Sequence, residues 1–150
     1  MTVSPFWVKG TGIAPLELPD GASYELAPDR PLSLTWTPPG KPNISRVQVK
    51  LDISHHGGTK GKIECDVDDD GSFEIPAAMV TELLSLGIAG FPTVALTRSS
   101  VGSTIIPEGR VDLEVYSYVE RAIEIEGLVS CTEDSQCGSM GTCGDDKRCQ

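Results

Sequence analysis

Apolar and polar residues alternate strictly along several short segments, and this period of two constrains the fold more than any other feature. In residues 46–53 every second side chain is apolar, and these are Val47, Val49, Leu51 and Ile53. Successive side chains of a β-strand point to opposite faces, so this segment predicts a strand with one buried and one solvated face. Shorter segments of the same kind lie at 32–37, 62–67, 73–75, 93–97, 111–115 and 123–125.

Turn-forming residues separate these segments, and a single helix is predicted among them. The turn signals include Asp20-Gly21, Pro38-Pro39-Gly40 and Gly57-Gly58. A helix is expected between Pro76, at its first position, and Gly87, at its end. We therefore predict an all-β fold, an antiparallel immunoglobulin-like sandwich with one short helix and a small disulfide-stapled C-terminal tail.

The C-terminal tail contains four of the five cysteines with a regular C-x5-C-x5-C-x5-C spacing, namely Cys131, Cys137, Cys143 and Cys149. The residues between them are small or polar, so disulfides are the natural source of stability. A zinc site is the alternative, but zinc knuckles usually space paired ligands two to four residues apart. Four cysteines allow three pairings, and we favour the interleaved one, Cys131–Cys143 with Cys137–Cys149. We place the sandwich domain at residues 1–127 and the cysteine-rich tail at 128–150.

Charge and cysteine content limit the compartments and the classes of partner that we expect. The formal net charge of −10 argues against a nucleic-acid binder and against a polybasic membrane-surface protein. No apolar run approaches the ~20 residues of a membrane helix. Disulfides indicate an oxidising compartment, so we expect an extracellular, periplasmic or outer-surface location. Because the N-terminus does not resemble a signal peptide, we interpret the chain as a mature fragment behind a start methionine; a cytosolic chain with reduced thiols is the alternative.

The segment Leu32-Ser-Leu-Thr-Trp-Thr-Pro-Pro-Gly40 resembles the second strand of fibronectin type III modules, an alternating strand that ends in tryptophan and proline. The resemblance implies that Trp36 fills the core between two sheets, opposite Val47 and Val49. The predicted helix and the absence of a tyrosine corner favour a related immunoglobulin-like sandwich instead. Such a sandwich with a C-x5-C-x5-C-x5-C tail looks like uncharacterised secreted or lipoprotein-type proteins of myxobacteria.

Asp66, Asp68 and Asp70, followed by Gly71, resemble the start of a calcium-binding loop. The twelfth position of such a loop should be a bidentate glutamate, and here it is Ala77. We therefore favour a β-hairpin that turns at residues 69–71, with calcium as the alternative and no other cofactor.

The remaining candidates are two histidines, one cysteine and an aromatic segment. His55 and His56 are adjacent, and we interpret them as part of a polar loop. Cys65 falls on the apolar face of its predicted strand and is expected to be a free core residue. The triplet Phe6-Trp7-Val8 is expected to form a terminal strand on the sheet, with an exposed partner contact as the alternative.

No motif for catalysis is recognisable, so we predict a non-catalytic extracellular or cell-surface binding or assembly module. Its partner would be a protein or a surface glycan, bound by the 54–61 loop, by the tail or by an exposed sheet edge. A protease inhibitor that uses the tail around residues 138–141 is one alternative. A structural subunit that polymerises through its edge strands, and so forms homo-oligomers, is the other.

Overall fold

The structure is a computed structural model that describes residues 5–150. Within these residues it contains seven β-strands, one α-helix and two short 3-10 turns in the tail. In chain order the main elements are β1 (Tyr24–Leu26), β2 (Leu32–Thr35), β3 (Arg46–Asp52), β4 (Lys62–Asp68), β5 (Ser72–Ile75), α1 (Ala77–Ser85), β6 (Thr93–Ile106) and β7 (Gly109–Ile125). The 3-10 turns are Asp134–Gln136 and Gly138–Met140.

The strands form two unequal sheets. One has five strands in the order β1-β7-β6-β3-β4, and the other consists of β2 and β5. All pairs are antiparallel except β1 with β7, where Tyr24 lies opposite Ile123 in parallel register. The prediction of a mostly β fold with one helix is confirmed, but the prediction of purely antiparallel pairing is wrong at β1.

The two sheets and the helix share one hydrophobic core. Val47, Val49 and Leu51 of β3 have no exposed surface, as their alternation predicts. The two-stranded sheet contributes Leu32, Leu34 and Ile75 to the same core, and Val80 and Leu83 come from α1. Burial of these apolar side chains is the main favourable term in folding.

The helix carries the chain from the two-stranded sheet to the five-stranded sheet. It begins at Ala77, directly after Pro76, and ends at Ser85. Gly87 follows with a φ of 91°, a left-handed conformation that glycine adopts without strain. The sequence predicted these bounds to within two residues, although Pro76 lies just outside the helix.

The hairpin predicted at residues 69–71 is wrong in its pairing. Both strands exist, but β4 pairs with β3 and β5 pairs with β2, so the turn carries the chain between sheets. The backbone amide of Trp36 donates to the carbonyl of Gly71 at 2.9 Å, which fixes the turn against the end of β2. Asp69, the first residue of this turn, points into the protein.

β6 and β7 form a hairpin much longer than the rest of the sheet. The sequence predicted separate strands at 111–115 and 123–125, but residues 109–125 form one strand. No glycine or proline interrupts 110–125, so pairing with β6 continues throughout. β3 pairs with β6 only as far as Ser99, and beyond it the hairpin extends alone. We call residues 100–115 the β6–β7 arm.

Candidate binding surfaces

A buried ion pair between Arg98 and Asp69 organises one end of the molecule. The side chains are 0% and 2% exposed, and Nε of Arg98 donates to Oδ2 of Asp69 at 2.7 Å. Asp69 also accepts hydrogen bonds from Trp36 Nε1 at 2.8 Å and from Ser45 Oγ at 2.5 Å. One carboxylate therefore ties together the end of β2, the loop before β3, the β4–β5 turn and β6.

Nη2 of Arg98 donates to Oδ1 of Asp69 at 3.0 Å, and the other donors bind backbone carbonyls. Nη1 donates to the carbonyl oxygens of Ala14 and Pro15 at 3.2 and 2.9 Å, and Nη2 donates to that of Thr37 at 2.5 Å. Burial by itself raises the pKa of the Asp69 carboxyl, but the hydrogen bonds from Arg98, Ser45 and Trp36 and the charge of Arg98 hold that pKa below its usual value. Asp69 is therefore ionised, and both of its carboxylate oxygens already accept hydrogen bonds.

A cleft of about 630 Å³ lies over this network, where β3 begins and β4 ends. Its lining includes Arg46, Asp66 and Asp68, and it extends to Ser99–Val101, where β6 leaves β3. Arg46 bridges the two aspartates: Nε donates to Asp66, and Nη1 donates to Asp68 at 2.6 Å. These hydrogen bonds raise the pKa of Arg46, whose positive charge offsets one of the two carboxylates, so this part of the cleft keeps a net negative charge.

The three aspartates of the calcium hypothesis are separated by their places on the fold. Asp66 and Asp68 lie on the exposed face of β4 with Arg46, whereas Asp70 lies in the turn and accepts a hydrogen bond from the Ser72 amide at 3.2 Å. Within residues 5–150, one group of three possible metal-ligand atoms converges, and it consists of Cys131, Cys137 and Cys149. These sulfurs belong to disulfides.

The tail is closed by the interleaved disulfides Cys131–Cys143 and Cys137–Cys149. The favoured pairing is thus confirmed, and Cys131 and Cys137 are buried. Cys65 is free and half-buried, and it packs against the core, where desolvation raises the pKa of its thiol. Cystines persist only in a non-reducing environment. None of the helices that the structure describes is long and apolar enough to cross a bilayer.

The 54–61 loop and the tail, which sequence analysis named as separate binding candidates, meet at one end of the fold. The amide of Gly90 donates to the carbonyl of Asp146 at 2.7 Å, and Ser130 Oγ donates to the carbonyl of Gly90 at 2.5 Å. A Cβ at Gly57 would lie 2.2 Å from the Gly90 nitrogen and 2.5 Å from the Asp146 oxygen. Only glycine permits this approach, so the tail is docked on the body.

The two histidines lie in this loop, as predicted. Their ring centroids are 3.9 Å apart, and His56 has a φ of 61°. They therefore pack against each other at the surface. The carbonyl of His55 accepts a hydrogen bond from the Phe91 amide at 2.8 Å, which holds the loop to the segment before β6.

The outward face of the five-stranded sheet carries two exposed tyrosines beside polar side chains. Tyr116 and Tyr118 of β7 are 66% and 54% exposed. Their neighbours on β6 are Ser99 and Thr97. These in turn lie opposite Arg46 and Gln48 of β3, and the next pairs on β4 are Asp68 and Asp66. We call the face formed by these two cross-strand rows the tyrosine face.

Residues 5–23 contain no strand, so the prediction of a terminal strand at Phe6-Trp7-Val8 is wrong. Instead the segment crosses the inward face of the β6–β7 arm: Ser100 Oγ donates to the carbonyl of Thr11 at 2.6 Å, and a Cβ at Gly102 would meet the backbone of Lys9. Pro5, Gly10, Gly12 and Pro15 disfavour regular strand pairing here. Trp7 is 85% exposed, and the alternative, a partner contact at this segment, stays a prediction.

Sequence analysis did not single out Arg98, Asp69 or the tyrosine face. Arg98 continues the inward alternation of Val94 and Leu96, and a cation at such a position signals a buried partner. Comparison of the chain with protein-family models, with curated proteins and with solved structures finds no match.

Proposed function

We propose that this protein is a non-catalytic module that binds a protein at the cell surface through the tyrosine face and the adjoining β6–β7 arm. The exposure of Tyr116 and Tyr118 carries this proposal. Tyrosine is enriched among the residues that dominate binding energy, because it buries a large rigid ring and keeps a polar end.

The chemistry around the two tyrosines favours a protein over a glycan. On the same outward face, the arm adds Val101 and Ile105, which are 56% and 77% exposed. Aliphatic side chains of this size gain most by packing against the apolar side chains of a partner. The hydroxyl groups of Thr97 and Ser99 and the charged Arg46 cluster would form a polar rim.

The state of the ionisable groups supports a binding role over a catalytic one. Asp69 is saturated with hydrogen bonds and has a lowered pKa, so it neither accepts nor releases a proton near neutral pH. Arg46 and its two aspartates are held by one another. The disulfides support an extracellular, periplasmic or outer-surface location.

We further propose that the body is a variant of the immunoglobulin-like sandwich, as the resemblance to fibronectin type III modules implies. In support, Trp36 is 4% exposed and lies in the same core as Val47 and Val49, which belong to the other sheet. Its indole nitrogen is bound by Asp69, so the ring is fixed at the junction of the two sheets.

The test compares the wild type with the double variant Tyr116→Ser/Tyr118→Ser. Fluorescently labelled, oxidised protein is titrated onto intact cells of the source organism. We expect saturable binding of the wild type. The affinity of the double variant should be about thirtyfold lower, which corresponds to a loss of about 2 kcal/mol of binding free energy. Met79→Ser, a substitution of a 40% exposed residue on α1, is the matched control and should bind normally.

Treatment of the cells separates the classes of partner. Mild proteolysis of the cell surface should abolish binding if the partner is a protein. Loss of binding only after periodate oxidation of surface sugars would contradict the proposal and indicate a glycan. Binding that is equal for the wild type and the tyrosine variant would contradict it as well.

A second candidate function is protease inhibition by the tail, and one observation favours it. Met140 is 49% exposed and lies in a turn between Cys137 and Cys143, so two disulfides hold the turn. Residual activity of serine and cysteine proteases, measured with the wild type and with Met140→Asp, tests this candidate. Full protease activity at saturating protein would rule it out.

A further inference from the structure

We propose that a second copy of this chain pairs with the open edge of β7, so that two five-stranded sheets join into one continuous sheet about a two-fold axis. This inference goes beyond the proposed function, because it concerns assembly of the chain with itself and not the cell-surface partner. It uses the edge of β7, whereas the proposed cell-surface partner uses the outward face.

The open edge follows from the pairing of β7. β1 covers β7 only at residues 123–125, and β6 lies on the other side throughout. Ile123 donates its amide to the carbonyl of Pro92 on the β6 side, so the odd-numbered residues of β7 point their backbone groups toward β6. The even-numbered residues therefore point theirs toward the edge. Within residues 5–150 no backbone group binds the edge between 110 and 120, and one side chain does, because Nη1 of Arg121 donates to the carbonyl of Glu120 at 2.9 Å.

This edge is long and uncovered, and charge is the one usual protection against strand pairing that it has. Natural edges are short, are charged, contain proline or are covered by other segments. The open part of β7 spans residues 110–120, contains no proline and includes Val115, Tyr116 and Tyr118; its charged residues are Arg110, Asp112, Glu114 and Glu120. An antiparallel partner over this length would form up to about twelve backbone hydrogen bonds.

Charge selects the register of the pairing. If Val115 of one copy lies opposite Val115 of the other, Arg110 lies opposite Glu120 twice, once on each side of the two-fold axis. A shift of one residue about the axis in either direction places like charges together. One shift sets Glu114 against Glu114, and the other sets Asp112 against Glu120. Opposite charges across strands stabilise a pair and like charges destabilise it.

The register also fits the surrounding chain. In this register the partner strand ends opposite residue 120 of the first copy, three residues before β1 begins to pair at Ile123. The chain that precedes β1 turns at Asp20–Gly21, and Ala22 packs against the core, so it bends away from the edge.

The same argument disfavours a filament. β4 is the other edge of the sheet, and its outward side chains are Lys62, Glu64, Asp66 and Asp68. When β4 overlaps fully, in antiparallel orientation, with another β4 or with β7, at least two acidic side chains oppose each other. An isologous β7 contact closes on itself, so the expected product is a dimer.

The first experiment measures mass in solution with a charge swap. Sedimentation equilibrium of the oxidised full chain should show a dimer. Arg110→Glu places two glutamates opposite each other on both sides of the axis, and we expect a dimer at least about tenfold weaker. The double variant Arg110→Glu/Glu120→Arg restores opposite charges and should restore the dimer. Glu124→Arg, at a position that pairs with β1, is the control and should dimerise like the wild type.

The second experiment traps the register directly. In a Cys65→Ala background, Val115→Cys should form an intermolecular disulfide, because residues opposite each other at a non-hydrogen-bonded site have Cα atoms about 4.5 Å apart. Val111→Cys should not cross-link, because its counterpart would be eight residues away along the strand. A monomeric wild type, a dimer that Arg110→Glu leaves intact, or equal cross-linking of both cysteine variants would overturn the inference. If the wild type is monomeric but binds cells, the dimer is contradicted and the proposed function is not.

Discussion

All five N–H groups of the Arg98 guanidinium bind oxygen atoms, although its side chain has no exposed surface. A buried charge is costly unless its partner and its hydrogen bonds are complete, and here both conditions hold. Two of the acceptors belong to Ala14 and Pro15, so the ion pair also fixes the N-terminal segment. Loss of either side chain of this ion pair should therefore disturb several parts of the fold at once.

Asp69→Asn is expected to lower the free energy of unfolding by about 3 kcal/mol, because it leaves the guanidinium of Arg98 buried without a counter-charge. Urea denaturation followed by circular dichroism measures this change. Asp66→Asn, which removes an exposed partner of Arg46, is the control and should leave stability close to that of the wild type. A loss below about 1 kcal/mol for Asp69→Asn would contradict the role assigned to the pair.

Acid unfolding should reveal how much the same network contributes to stability. The pKa of Asp69 is lower in the folded state than its usual value, so its contribution is complete above about pH 5, where the unfolded chain is ionised as well. That stability is lost as the pH falls from about 5 through the folded-state pKa, because the unfolded chain then binds a proton more readily. Urea midpoints measured between pH 5 and 2 should fall more steeply for the wild type than for Asp69→Asn. Parallel curves would show that other carboxyl groups control acid unfolding.

The sequence identified the residue types of the core but not this pair. Alternation predicted Val47, Val49 and Leu51 correctly, because hydrophobic burial depends on each residue and its neighbours two positions away. The partnership of Arg98 and Asp69 depends on a contact between positions 29 residues apart. Local pattern predicts that such a cation requires a partner, but not which carboxylate supplies it.

At the scale of elements, the long β6–β7 hairpin and the short β1 show what local pattern misses. The alternation in 111–115 marked part of β7, but Tyr116–Arg121 is exposed on one face and lacks the apolar rhythm of a core strand. Pairing with β6 keeps it extended. β1 has three residues and exists because it pairs with β7, so tertiary contact defines it.

A chain that ends at Gly127 should remain folded, since the core lies entirely in the residues before the tail. It would lose the two hydrogen bonds of Gly90 with Asp146 and Ser130, which contribute about 1 kcal/mol each. We therefore expect cooperative thermal unfolding at a modestly lower temperature, monitored by circular dichroism. Gly90→Ala in the full chain is the comparison and should show a similar or larger loss. An unfolded truncation would mean that the tail is part of the core.

At the scale of the whole molecule, the fold depends on contacts between distant parts of the chain. β1 pairs with residues about a hundred positions later, and the two-stranded sheet joins Leu32 to Ile75. Such contacts close large loops before they contribute favourable energy, which slows folding. The class of fold was predictable from the number of strands and the turn signals. The division of the strands into a sheet of five and a sheet of two was not, because it depends on the turn at Asp69 that carries the chain from one sheet to the other.

Refolding of the disulfide-intact chain should occur in milliseconds to seconds, the range of β-proteins rich in distant contacts. Stopped-flow fluorescence of a Trp7→Phe variant isolates Trp36, which is buried and reports formation of the core. Asp69→Asn should slow this signal if the network forms in the transition state and leave its rate unchanged if it forms later. Refolding within a few microseconds would contradict the proposed dependence on distant contacts.

The interleaved order of the two cystines has a topological consequence. Each bond spans one cysteine of the other, so hydrolysis of any single peptide bond between Cys131 and Cys149 leaves both resulting pieces covalently joined. Had neighbouring cysteines paired in sequence, one cut between Cys137 and Cys143 would release the terminus. The tail therefore stays covalently joined to the body after any single cut within this segment.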